Sequence, residues 1–294
     1  MSRAVSGLMA ALIGGISPVA IRAWESSGEK PIIVGSKLFT EQYILGELMS
    51  KTLISDQIPA EHISGMGSTI LYEALRSSQV DAYVDYSGTI WTNIMKRTEI
   101  PSRQKVLNEM TQWLDSSENI LCLGSLGFEN AYALGMRREQ AESLEVESIA
   151  DLAAFTREME IGGDYDFFSR PEWASVRDAY GLNFAELRNL DPSLMYTAVA
   201  EKEVDVISAF STDGRIIDYD LKLLDDPKGV LPPYDAVILI SPSSRDNQRL
   251  IITLSKLIGN INSDLMRKAN NMVDLKDKTV LQAADSLHHL LFSK

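Results

Sequence analysis

Apolar positions along the chain follow two rhythms. Short β-branched runs closed by turn residues predict strands, and longer stretches with apolar residues three and four apart predict helices. Residues 32–34 give the first strand signal, closed by Gly35, Ser36 and Lys37. A helix follows, with Thr40 as its expected N-cap and Ile44, Leu45, Leu48, Met49 and Ile54 as its apolar face. Ser68 or Thr69 is the expected cap of a second helix over 70–77. VDAYV at 80–84 then reads as a strand that runs into a turn at 85–89.

That helix–turn–strand unit occurs twice. LYEALRSSQVDAYVDYSGT (71–89) aligns with MYTAVAEKEVDVISAFSTDG (195–214) at a constant offset of 124. The offset pairs Tyr72 with Tyr196, Ala74 with Ala198, Val80 with Val204, Asp81 with Asp205, Tyr86 with Phe210 and Ser87 with Ser211. So wide a spacing is no solenoid period; it predicts two similar α/β lobes. Strands alternating with helices imply mostly parallel sheets, and in such sheets ligands sit beyond the carboxyl ends of the strands. Tyr86 and Phe210 lie at such ends, so an aromatic-lined cleft between two lobes is expected. The boundaries read as 24–130 plus 233–294 for the first lobe and 131–232 for the second, with hinges near 129–132 and 229–233. The chain returns as a strand over 236–240, and helices through 248–257 and 278–291 are expected to close on the first lobe.

Composition narrows the partners. The chain has 294 residues, 45% hydrophobic and 23% charged, the mix of a soluble globular protein. Twenty-eight basic residues stand against 41 acidic ones, a formal charge of −13. That argues against nucleic acid or anionic lipid as the main partner, since both need a basic footprint. Cys122 is the single cysteine; it lies in an apolar run and reads as a small buried hydrophobe. Residues 4–21 are uncharged and apolar between Arg3 and Arg22, like a secretory signal cleaved after Ala23. Export to the periplasm is the expectation; the alternative is the end of a preceding membrane domain, with this chain tethered to a permease. Gly14, Gly15 and Pro18 make the run a poor membrane-spanning helix.

Signals for catalysis are weak. The chain has no phosphate-binding loop of the GxxxxGK type, no GxSxG elbow, no CxxC and no HExxH. Gly65-Met66-Gly67 reads as a turn, His288 and His289 as solvated or capping residues, and Asp225-Asp226 beside Pro227 as a polar turn. A binding protein without metal, cofactor or catalytic residue is expected rather than an enzyme.

GSKLFTEQYILGELM (35–49), VDYSGT (84–89), FENAYALG (128–135), DFFSRPEW (166–173), DVISAFSTDGRI (205–216) and LPPYDAV (231–237) together resemble a known family. It is that of the glycine betaine, choline and carnitine binding proteins of osmoprotectant ABC importers. The resemblance runs from about residue 32 to the C-terminus, with the blocks in the family's order. It implies the type II periplasmic-binding-protein fold, a monomer that takes a small-molecule ligand and delivers it to a membrane permease. It also implies a box of aromatic rings around a quaternary ammonium. By motif, Tyr86, Tyr132, Phe210 and Tyr234 match the rings, Thr89 a carboxylate-binding hydroxyl, Asn130 a polar position, and Lys37 and Arg170 a cationic pair. Phe210 departs from the pattern, standing where the family usually has Tyr.

The chemistry of that set is coherent. A trimethylammonium group has no N–H, so ring faces rather than hydrogen bonds recognise it. A carboxylate needs donors, which Lys37, Thr89 and Arg170 carry, Arg170 through two parallel N–H groups. A carboxylated betaine is therefore favoured over choline. The alternative is the same fold holding another small zwitterion or organic anion, such as an amino acid or an ergothioneine-like betaine, with the rings only stacking.

Overall fold

The computed structural model describes residues 30–99, 101–164 and 167–293; the apolar run at 4–21 lies outside them. Two five-stranded sheets form. The first has the order β2-β1-β3-β10-β4 and the second β7-β6-β8-β5-β9. In the first, β1 (Ile32–Lys37), β2 (Ala60–Met66) and β3 (Ala82–Tyr86) are parallel, joined by α1 (Thr40–Ser55) and α2 (Ser68–Arg76). After α3 (Arg103–Glu118), β4 (Leu121–Glu129) completes one edge. The chain then passes to the second sheet as β5 (Tyr132–Arg137), followed by β6 (Glu160–Gly163), α4 (Pro171–Tyr180), β7 (Glu186–Asn189), α5 (Pro192–Ala200), β8 (Val206–Phe210) and β9 (Leu221–Leu223). It returns as β10 (Asp235–Ile240) and ends in α6 (Gln248–Ser255), α7 (Ser263–Asp274) and α8 (Val280–Phe292). Among the described residues no helix is long and apolar enough to cross a membrane.

The internal repeat is exact at the level of elements. The offset of 124 carries α2 onto α5 and β3 onto β8, end residue for end residue. The paired aspartates do the same work in both. Asp81 Oδ2 accepts from the Ile33 amide at 2.7 Å, and Asp205 Oδ2 accepts from the Glu160 amide at 3.0 Å. Each carboxylate thus ties the start of its strand to the neighbouring parallel strand. Tyr72 and Tyr196 are buried in their lobes, as core residues.

The sheets are mixed rather than mostly parallel. β10 is antiparallel to β3 and β4, and β5 to β8 and β9. In each sheet the reversed strand is the one the chain enters on arriving from the other sheet. It therefore starts at the cleft, where the neighbours it opposes end.

Apolar layers cover both faces of each sheet. Along β10, Ala236, Ile238 and Ile240 join one layer, with Leu45, Leu48 and Leu53 of α1, while Val237 and Leu239 join the other, with Met110 and Leu114 of α3. This period-two division between two buried faces is why β10 reads as a continuous apolar run. Each fully buried leucine or isoleucine contributes about 1.5–3 kcal/mol. Two expected caps are corrected. α1 is entered from Phe39, and the Thr40 hydroxyl donates to Asp274 of α7 at 2.7 Å instead of capping its own helix. α2 is entered from Gly67, in extended backbone.

α7 joins the two lobes. Arg267 Nε donates to the Ser211 carbonyl at 2.7 Å, Asn270 Nδ2 to the Thr212 carbonyl at 2.8 Å and Asn271 Nδ2 to the Gly214 carbonyl at 3.0 Å. A Cβ on Gly214 would lie 2.5 Å from the Asn271 amide nitrogen, so only glycine admits this approach. The segment following Phe210 is thereby fixed to a helix that follows the first sheet in sequence.

Candidate ligand cleft

Both sheets direct strand ends at one cleft of about 460 Å³. Lys37 and Tyr86 end β1 and β3, Phe210 ends β8, and Asn130 and Tyr234 sit on the two segments that pass between the sheets. Thr89 closes the turn Ser87–Thr89 that follows β3 and precedes a wide π-helical turn over Ile90–Ile94. These six predicted residues all line the cleft. Tyr132 and Arg170 stand beside it. The Tyr132 ring packs on Phe210 with centroids 4.8 Å apart, and Arg170, exposed, lies over the Tyr132 ring at 5.5 Å.

Tyr86 is 5% exposed and held on several sides. Its hydroxyl donates to Glu41 Oε1 and accepts from Gln42 Nε2 at 3.2 Å. Phe39 stacks near its ring at 6.2 Å, and Lys37 Nζ lies 5.3 Å from the ring centroid. Tyr234 is placed by the turn after β3. Ser87 Oγ donates to the Pro233 carbonyl at 3.0 Å and accepts from the Asp235 amide at 2.9 Å. A Cβ on Gly88 would come within 2.6 Å of the Tyr234 ring, so that ring seats against a bare backbone.

Lys37 is 3% exposed, and its ammonium is ion-paired with Asp85, itself 1% exposed. Asp85 also accepts from the Tyr83 hydroxyl and from the Tyr86 amide. The pair is enclosed, so Lys37 lines the cleft with its charge already matched. Its aim is set by a bulge in β1, where the register with β2 shifts between Gly35 and Lys37. Ser36, fully buried at that bulge, is hydrogen-bonded to His62 at 2.8 Å, and His62 to Glu47 at 2.9 Å. The Ser–His–Glu order imitates a hydrolase triad, but with the serine enclosed it acts as a brace for the bulge.

Sequence reasoning missed part of the wall: Phe39, Glu41, Thr212, Asp213, Asn270 and Asp274. Phe39 and Glu41 stood inside the LFTEQ block and were legible as a ring and an acid beside Lys37. Asn270 and Asp274 carried no signal, since only the docking of α7 brings them in. Glu41 accepts from Asn130 Nδ2 at 3.2 Å and from Asn270 Nδ2 at 3.1 Å, besides Tyr86. Burial raises its carboxyl above the usual 4.5, outweighing hydrogen bonds from Thr212, Tyr86, Asn270 and Asn130. Burial also raises the Asp274 carboxyl, against the pull of the Thr40 hydroxyl. With Lys37 matched by Asp85 and Asp213 by Arg215, Glu41 and Asp274 are the acids of the wall without an ion pair among the described residues, which suits a ligand bearing positive charge.

Residues 30–287 match the family described as the substrate-binding domain of the ABC-type glycine betaine transport system. The chain belongs to this family. Its members are substrate-binding components of transporters, not enzymes. The chain is 33% identical over 268 residues to the ergothioneine transport permease/ergothioneine binding protein EgtU of Helicobacter pylori; the match covers 89% of this chain and 48% of that relative's length. It is 31% identical over 277 residues to the glycine-betaine-binding protein of Pseudomonas aeruginosa, 88% of each. Against the crystal structure of a glycine betaine/carnitine/choline ABC transporter the TM-score is 0.85 at 28% identity, over 89% of this chain and 100% of that one. The two sheets and their helices are therefore the two-lobed fold of binding proteins in this family.

Proposed function

We propose that this chain is the extracytoplasmic solute-binding component of an ABC importer, and that it holds a carboxylated quaternary ammonium compound between lobes 24–130 plus 233–294 and 131–232. The observation that carries this reading is the meeting of rings from both sheets in one cleft: Phe39, Tyr86 and Tyr234 on one side and Phe210, backed by Tyr132, on the other. Ring faces attract a permanent cation by roughly 0.5–2 kcal/mol each. A cation held at such faces does not lose hydrogen bonds, because it has no N–H to donate. Arg170, which has no ion pair among the described residues, supplies positive charge for the ligand's carboxylate. Thr89 and a remaining Lys37 N–H supply further donors. Ligand contacts from both lobes favour the closed arrangement over the open one by a hinge movement. The closed monomer delivers its cargo to a membrane permease and needs no cofactor or nucleic acid.

Titration calorimetry with glycine betaine, proline betaine, carnitine, choline and ergothioneine tests this. Micromolar binding, about −8 kcal/mol, is expected for at least one carboxylated member, with choline weaker. Binding no tighter than millimolar for all five overturns the reading.

A second reading keeps the fold and changes the ligand to a larger betaine of the ergothioneine kind. The relative named for ergothioneine favours it, as does a cleft of about 460 Å³ whose wall includes the Asp274 carboxylate besides the rings. Glycine betaine brings a positive charge to that wall but no hydrogen-bond donor.

A further inference from the structure

We infer that this cleft selects betaines that carry N–H or O–H donors apart from the quaternary nitrogen, and that the side-chain carbonyls of Asn130 and Asn270 receive those donors. The inference deepens the proposed betaine-binding function and rests on it.

Asn130 lies where the chain passes from the first sheet to the second, and Asn270 on α7. Both line the cleft. Both point their amide nitrogens at one carboxylate: Asn130 Nδ2 donates to Glu41 Oε1 at 3.2 Å and Asn270 Nδ2 to Glu41 Oε2 at 3.1 Å. Asn270 Nδ2 also donates to the Thr212 carbonyl at 2.8 Å. These partners fix the orientation of both amides, because turning either one would set its carbonyl oxygen against the carboxylate. The carbonyl oxygens are left over. Asn130 Oδ1 and Asn270 Oδ1 are buried and have no hydrogen-bond partner among the described residues, and Asn270 as a whole is only 5% exposed.

Two buried, unmet acceptors in one wall are unfavourable until something donates to them. Glu41 is not the receiver, since Tyr86, Asn130 and Asn270 already donate to it. Glycine betaine cannot meet the amides either: it has a trimethylammonium, a methylene and a carboxylate, and no donor. A betaine with a hydroxyl, an imidazole N–H or a thione N–H can. A site built to hydrogen-bond a donor rejects the analogue lacking it more strongly than an apolar pocket rejects a missing methylene. The selectivity of this chain within its family is therefore assigned to two asparagines that share the Glu41 carboxylate with Tyr86.

Matched ligand pairs test this on the unmodified protein by calorimetry. Carnitine is compared with γ-butyrobetaine, which differs only in lacking the hydroxyl. Histidine betaine is compared with its ring-N-methylated derivative, which lacks the N–H. A preference of at least tenfold, about 1.4 kcal/mol, for the donor-bearing member is expected in at least one pair. In Asn130→Ala or Asn270→Ala the ratio within that pair is expected to fall toward one, whatever happens to overall affinity. A preference below tenfold in both pairs, or glycine betaine binding as tightly as the donor-bearing compounds, overturns the inference and leaves the betaine reading standing. A wild-type preference that persists in both variants overturns the assignment to these residues. If neither glycine betaine nor any pair member binds, the betaine reading falls and this inference with it.

Discussion

Tyr86 and Phe210 end equivalent strands of the two sheets, 124 positions apart in sequence, and line the same cleft. Their supports differ. Tyr86 is anchored through its hydroxyl to Glu41 and Gln42, whereas Phe210, without a hydroxyl, rests on the Tyr132 ring at 4.8 Å. The repeat thus supplies two rings by the same local fold and secures one by hydrogen bonds and the other by ring packing.

Phe210 is 36% exposed, so its truncation removes a ring from the cleft at small cost to the core. Phe210→Ala is expected to weaken ligand binding at least tenfold, about 1.4 kcal/mol, while lowering unfolding stability by about 1 kcal/mol. Tyr86→Ala is expected to lose both, because Tyr86 is buried and hydrogen-bonded. Tyr86→Phe keeps the ring and is expected to lose stability by about 1–3 kcal/mol with less loss of affinity than the alanine variant. Calorimetry and urea unfolding on the three variants separate the two effects. Unchanged affinity in Phe210→Ala would remove that ring from the site.

Lys37 gives a prediction of the opposite kind. Its ammonium and Asp85 form an enclosed ion pair, so removing one partner strands a buried charge. Lys37→Met is expected to destabilise the fold by about 3–5 kcal/mol. Lys37→Met with Asp85→Asn is expected to recover most of that loss, since no unpaired charge is then left. Urea unfolding of the single and double variants measures the recovery. A double variant no more stable than Lys37→Met would show that the pair is not what holds this end of β1.

The sequence made the repeat legible because it is written in local signals: a helix cap region, a helical apolar face, a VD dipeptide and an alternating strand recur at one spacing. The aromatic ends of β3 and β8 followed from that. Strand direction was not legible in the same way. β10 and β5 look like any other buried strand, and only the path of the chain between sheets makes them antiparallel. The pairing of Lys37 was hidden for a similar reason, since Asp85 lies 48 residues away in sequence. Asn270 and Asp274 sit on a helix whose amphipathic pattern announces burial but not which lobe it reaches. Its tie to Ser211, Thr212 and Gly214 is a long-range contact that no local period encodes.

Gly88 tests how Tyr234 is placed. An added methyl would meet the Tyr234 ring at 2.6 Å and the Pro233 carbonyl at 2.8 Å, and neither the ring nor the backbone can yield without moving the chain that returns to the first sheet. Gly88→Ala is expected to destabilise the fold by about 1–3 kcal/mol and to weaken ligand binding more than its stability loss alone explains, because the ring is displaced from the cleft. Binding measured well below the unfolding midpoint, alongside thermal unfolding, distinguishes displacement from partial unfolding. A variant that is destabilised but binds normally would place Tyr234 outside the ligand contacts.

Glu41 links the cleft to pH. Burial raises its carboxyl above the ordinary 4.5, so between 4.5 and that raised value the folded protein keeps a proton which the unfolded chain has released. Folding stability from this group is therefore fully present below 4.5 and is lost as pH rises through the folded value. Glu41→Gln cannot titrate and is expected to abolish that part of the dependence. Asp274 and Glu129, also raised by burial, titrate in both proteins, so the difference between wild-type and variant stability isolates Glu41. In urea unfolding across pH 4 to 8, about the range where raised carboxyls titrate, wild type is expected to lose ground to Glu41→Gln from the acid end and then to run parallel with it. A constant difference across the range would mean that Glu41 titrates in the folded protein as it does in the unfolded chain, and that its four donors fully offset its burial.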